Sequence, residues 1–89
     1  MRVVLASLTT TSAGTRDAGT PAVVTDLLWA HARPEDGLEH VTPRATGSGI
    51  DLYLFVRAEA DGPAVTQMRP LLERARACIA AQGYVLVAD

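Results

Sequence analysis

Between Ile50 and Arg57 the chain alternates strictly, residue by residue, between two kinds of side chain. Ile50, Leu52, Leu54 and Val56 hold the even positions, and Asp51, Tyr53, Phe55 and Arg57 the odd ones. A period of two is the signature of a β-strand, here with one aliphatic face for a core and one amphipathic face that carries rings. The pattern extends this strand to Glu59. Arg2 to Leu8 reads as a second strand, apolar on both faces through Val3, Val4, Leu5, Ala6 and Leu8. A strand without alternation is usually central in its sheet. Leu38 to Ala45 is weaker, and Pro43 assigns it to an edge because proline has no N–H to give a ladder. Thr46-Gly-Ser-Gly49 reads as a turn, and Tyr84 to Ala88 as a last short strand.

Helical periodicity fills the gaps. Thr20 and Pro21 supply an N-cap and a first-turn proline. Beyond them Val23, Val24, Leu27, Leu28, Ala30 and His31 share one side at about 100° per residue, with Trp29 opposite. Pro34 ends that helix and Glu35-Asp36-Gly37 forms a turn. Asp61-Gly-Pro63 opens a longer helix to about Gln82, with Met68, Leu71, Leu72, Ala75 and Ile79 on its inner side. Pro70 should kink this helix or mark its true start, and Gly83 stops it.

The order is β-α-β-β-α-β, which is the ferredoxin-like plan: an α+β two-layer sandwich of a four-stranded antiparallel sheet with two helices on one face. The expectation is one domain over residues 1–89, with the first and third strands central and parallel to each other.

Hairpin geometry then selects the residues of the uncovered face. A four-residue turn over Thr46 to Gly49 pairs Ala45 with Ile50 and sets Pro43 and Val41 opposite Leu52 and Leu54 on the core side. The same register places Arg44 beside Asp51, Thr42 beside Tyr53 and His40 beside Phe55. A three-residue turn would drive Arg44 and His40 into the core, at a desolvation cost. The predicted open-face cluster is His40, Thr42, Arg44, Asp51, Tyr53, Phe55 and Arg57.

Composition narrows the function classes. Hydrophobic residues make up 48% and charged residues 20% of the 89 positions, a globular balance with a thin core, for which oligomerisation is a common remedy. The net charge is −2, so there is no basic field to hold a nucleic acid, and every basic chain-carried side group other than histidine is Arg. The open strand rings lack the basic, Gly-aromatic signature of RNA-binding sheets. Cys78 stands alone, which rules out an intrachain disulfide and agrees with a reducing, cytoplasmic setting. The six-residue run Val3 to Leu8 is shorter than the ~7–15 residues of a signal-peptide core, and no run approaches the ~20 of a membrane span.

Other candidate chemistry is sparse. The loop Thr9 to Thr20 is rich in Gly, Ser and Thr and leads into a helix N-terminus, so Gly14, Arg16, Gly19 and Thr20 form a candidate anion loop. Neither GxxxxGK[ST] nor GxGxxG is present in it. Its location resembles the ligand-facing loop of ACT-like regulatory domains, a likeness of topology alone. His31, His40 and Cys78 do not form a metal set, and no cofactor is expected. His31 reads as a helix-flank residue with one ring nitrogen in water, and Cys78 as a small residue at the margin of a buried helix side. Trp29, on the polar side of its helix, is expected to fold back toward Pro34. Arg69, Arg74 and Arg76 read as a solvated helix face, with Arg69 and Glu73 spaced to pair.

An uncovered sheet face with rings calls for a partner, and a closed two-fold dimer is the commonest answer. The expected role is therefore a small, non-enzymatic accessory or interaction protein that dimerises through its open sheet face, with a further protein partner or a small-molecule ligand as other occupants, and neither nucleic acid nor membrane. Two alternatives follow from the same residues. One is a metabolite-binding ACT-like domain that uses the Gly-rich loop. The other is a dimeric α+β-barrel enzyme, in which His40, Asp51 and Tyr53 would be the actors.

Overall fold

A computed structural model of the chain describes residues 1–11 and 20–87. The elements follow the expected order: β1 (Arg2–Thr10), α1 (Pro21–His31), β2 (Leu38–Ala45), β3 (Gly49–Val56), α2 (Asp61–Ala81) and β4 (Tyr84–Leu86), with a 3-10 turn at Pro34–Asp36. The sheet order is β2-β3-β1-β4, so β1 and β3 are central, and this is the ferredoxin-like α+β sandwich.

One expectation is corrected. β1 and β3 are antiparallel, Arg2 facing Val56 and Leu8 facing Ile50. The hairpin explains it. β3 is antiparallel to β2 and to β1, so the α1 crossover must return β2 parallel to β1. The hairpin then inserts β3 between them, reversed.

The hairpin register is the four-residue one, with Ala45 on Ile50, Pro43 on Leu52 and Val41 on Leu54. A bulge between Leu38 and His40 absorbs one residue at the far end. The turn closes through Thr46 N–H to the Gly49 carbonyl at 2.8 Å. β3 stops at Val56 rather than Glu59. There the Arg57 N–H turns to the Gly37 carbonyl at 2.8 Å, and Gln67 Nε2 donates to the Arg57 carbonyl at 3.1 Å. Gly37 holds the chain at that corner with φ +73°, a left-handed conformation that suits glycine.

α1 begins as its sequence suggests. Thr20 Oγ1 accepts the Val23 N–H at 3.3 Å and Pro21 occupies the first turn. Only Val24 and Leu28 of its apolar set are fully buried, and Val23 and Ala30 are exposed. Eleven residues touch the sheet along one i, i+4 line, while the 21-residue α2 supplies most of the cover. α2 runs unbroken through Pro70. The carbonyl that loses its amide partner there belongs to Thr66, and both residues are exposed, so water can satisfy it. Gly83 ends the helix at φ +90°.

The core lies between the even side of the sheet (Val4, Ala6, Leu8, Ile50, Leu52, Leu54, Val56) and Val24, Leu28, Met68, Leu71, Ala75 and Ile79. Among the described residues no helix is long and apolar enough to cross a membrane.

Two hairpin glycines should respond differently to alanine. A Cβ on Gly49 would overlap the backbone carbonyl of Leu8 on β1, whereas one on Gly47 meets nothing within 4 Å. Gly49→Ala should therefore cost about 2–3 kcal/mol or more in a urea melt, and Gly47→Ala should stay within about 0.5 kcal/mol of the parent. Equal effects would contradict the β1–β3 register.

Candidate functional site

Antiparallel pairing aligns the odd positions of β1, β3 and β4 with the even positions of β2 in rows across the uncovered face. Val3, Phe55 and His40 form one row, and Leu5, Tyr53 and Thr42 the next. Ser7, Asp51 and Arg44 form the third, which the Val87 N–H extends by bonding to the Ser7 carbonyl at 2.8 Å. Val85 follows, opposite Thr9. The structure thus brings together six of the seven residues expected on this face. Arg57 lies one residue past the end of β3, exposed at the rim.

The face is more apolar than those seven residues imply. Val3, Leu5, Val85 and Val87 stand 51%, 48%, 53% and 47% exposed beside the half-buried rings of Tyr53 and Phe55. His40 packs its ring on Phe55 with centroids 5.6 Å apart and planes tilted by 48°, a cross-strand contact that supports the edge. Asp51 and Arg44, opposite each other in register, put one acid and one base at the same end of the face. Arg44, Thr42 and His40 are exposed. Of these four positions, which the expected cluster lacks, Val3 and Leu5 carry a plain signal: β1 is apolar at odd as well as even positions. That pattern was read as centrality alone, yet a two-layer fold buries just one face of a central strand.

Of the candidate anion loop, Gly14, Arg16 and Gly19 lie outside the described residues. Thr20 serves as the α1 cap. Trp29 is 42% exposed on the outer side of α1.

A second cluster, at the seam of α1 and α2, was not foreseen. Asp36 is buried, and its carboxylate accepts the Arg33 N–H at 2.8 Å and the Arg74 guanidinium through Oδ2. Arg74 also reaches the His31 carbonyl, Nε at 3.2 Å and Nη2 at 3.0 Å, so it closes the C-terminal end of α1. Gln67 Nε2 donates to the Asp36 carbonyl at 2.6 Å. Arg74 is thus half-buried and structural, not part of a solvated face, and Glu73 pairs with Arg76 at 3.2 Å instead of with Arg69. His31 Nδ1 lies 2.9 Å from the Leu27 carbonyl and Nε2 3.7 Å from Cys78 Sγ. Both ring nitrogens therefore have protein partners, against the expectation that one stays in water. Nδ1 donates to that carbonyl, and with Nδ1 as the donor of a neutral ring Nε2 can accept from the thiol. Among the described residues no three His, Cys, Asp or Glu side chains are grouped to hold a metal ion.

The chain was compared with known proteins in three ways, and no family model, curated protein or solved structure matches it.

The seam predicts a stability effect. Arg74→Ala leaves the buried Asp36 carboxylate without its cation and uncaps α1, for a loss of about 3 kcal/mol in chemical denaturation. Arg74→Lys should recover little of it, since one ammonium cannot match the guanidinium fork that reaches two elements. A loss below about 0.5 kcal/mol for Arg74→Ala would place this ion pair among weak surface pairs.

Proposed function

We propose that this protein is a small, non-enzymatic, cytoplasmic accessory or interaction protein that works as a homodimer formed through the open face of its sheet. One observation carries the reading. The two central strands carry large apolar or aromatic side chains on both faces, and the helices cover only one. Val3, Leu5, Val85 and Val87, with Tyr53 and Phe55, form a contiguous patch in register, and monomeric proteins rarely leave such patches in water.

The dimensions support a stable pairing. Three strands of eight or nine residues and the three-residue β4, about 4.8 Å apart, present a projected area on the order of 400 Å². The accessible area of a side-chain-covered surface is larger, which brings it toward the roughly 800 Å² per partner of a standard interface. Two sheets packed face to face at about 10 Å would interdigitate these side chains as a sandwich core does. The charges suit a second copy, since a two-fold operation can bring Arg44 of one chain to Asp51 of the other. Tyr53 brings a hydroxyl that can stay at the rim while its ring is buried.

Size-exclusion chromatography with light scattering tests the reading. At micromolar concentration the parent should elute at no less than twice its 9.4 kDa chain mass. Tyr53→Ser with Phe55→Ser should halve that mass and leave the fold intact by circular dichroism, because neither ring belongs to the core. A parent that runs as a monomer, or a double variant that assembles like the parent, would refute the proposal.

A further inference from the structure

Few contacts tie α1 to the rest of the chain, and its polar ties sit at one end. It lies against α2 and β2. Of its eleven residues only Val24 and Leu28 are buried, while Val23 and Trp29 stand 39% and 42% exposed. α2 by contrast sinks Ala64, Met68, Leu71, Ala75 and Ile79 into the core. Among the described residues every hydrogen bond from α1 to a distant segment falls on His31, its last residue. The Arg74 guanidinium donates twice to the His31 carbonyl, and Cys78 Sγ lies 3.7 Å from Nε2. Thr25 Oγ1 is buried with no partner among the described residues, so docking dehydrates a hydroxyl without repaying it.

α1 would not hold its shape once lifted. Eleven residues fall below the roughly 12–15 that an isolated helix needs in water even with a favourable composition. Val23, Val24 and Thr25 are β-branched, and no acid lies in the first turn to complement the helix dipole. The C-cap is Ala32 in an extended conformation rather than a left-handed glycine, so Arg74 supplies the cap that the local sequence lacks. Docking and helix formation are thus one event.

We infer that α1 is a flap that opens as a unit while the sheet and α2 stay folded, and that Arg74 is the latch that holds it closed. The latch is braced from outside α1: its guanidinium is held by the Asp36 carboxylate, and Gln67 of α2 donates to the Asp36 carbonyl. The body that stays has the central β1–β3 ladder, paired from Arg2–Val56 to Thr9–Gly49, and the five core residues of α2. Opening uncovers the even side of β2, where Val41 is buried, and frees the side of Cys78 that His31 covers. The motion is independent of what covers the odd side, because Val24 and Leu28 belong to the core on the even side.

Native-state hydrogen exchange of the full chain across a series of low urea concentrations tests the flap. In the parent, amides of residues 25–31 should exchange about tenfold or more faster than those of Leu52 and Leu54, with one shared urea slope smaller than that of β3. Arg74→Ala should speed residues 25–31 by about tenfold or more. Val4→Ala trims a core side chain of β1 that packs under α2, a contact kept whether the flap is open or closed. It should speed β3 by about tenfold or more and leave residues 25–31 within about twofold of the parent. The parent's urea slopes decide the matter even if Arg74→Ala fails to fold. An α1 slope equal to that of β3, or acceleration of both by Val4→Ala, would make the domain one cooperative unit and overturn the flap. Exchange of α1 that ignores both urea and Arg74→Ala would reduce the motion to fraying of single turns, and would overturn it as well.

Discussion

Helices cover one face of this sheet, and its central strands carry large apolar or aromatic side chains on the other face as well. That mismatch governs the rest of the structure. On the even side, Leu52, Leu54 and Val56 of β3 and Val4, Ala6 and Leu8 of β1 are buried under α2 and the short contact line of α1. On the odd side, Val3, Leu5, Tyr53 and Phe55 lie in adjoining rows that no helix among the described residues covers. Among the described residues no third layer lies against that side. This exposed apolar surface is the one we propose a second copy of the chain buries.

Much of this was legible in the sequence because β-sheet side chains obey a period of two. The alternation from Ile50 to Val56 fixes which residues of β3 face the core, and the penalty for burying Arg44 and His40 selects the turn length. Every pair from Ala45–Ile50 to His40–Phe55 then follows, and each is present. Local caps were equally readable at Thr20 and Gly83, where the chemistry involves near neighbours. The relative direction of β1 and β3 was misjudged because it belongs to connectivity: a split crossover with an inserted hairpin forces it, whatever the strands contain.

Contacts between distant segments were not legible. Arg74 and Asp36 are 38 positions apart, and nothing in the sequence of α2 marks Arg74 off from Arg69 or Arg76. Only the packing of the 3-10 turn against α2 brings the guanidinium to the buried carboxylate and to the open end of α1. His31 and Cys78, 47 positions apart, meet for the same reason. The seam locks both helices together at the end of α1, which fixes the layer that covers the even side of the sheet.

Hydroxyl-radical footprinting read by mass spectrometry tests the burial of the open face most directly, with Trp29, 42% exposed on α1, as an internal reference. In the assembled protein at tens of micromolar, oxidation of Tyr53 and Phe55 should fall well below that of Trp29 and rise on dilution to nanomolar as the chains separate. Rates for Tyr53 and Phe55 that do not change with protein concentration would show that no second chain covers the face.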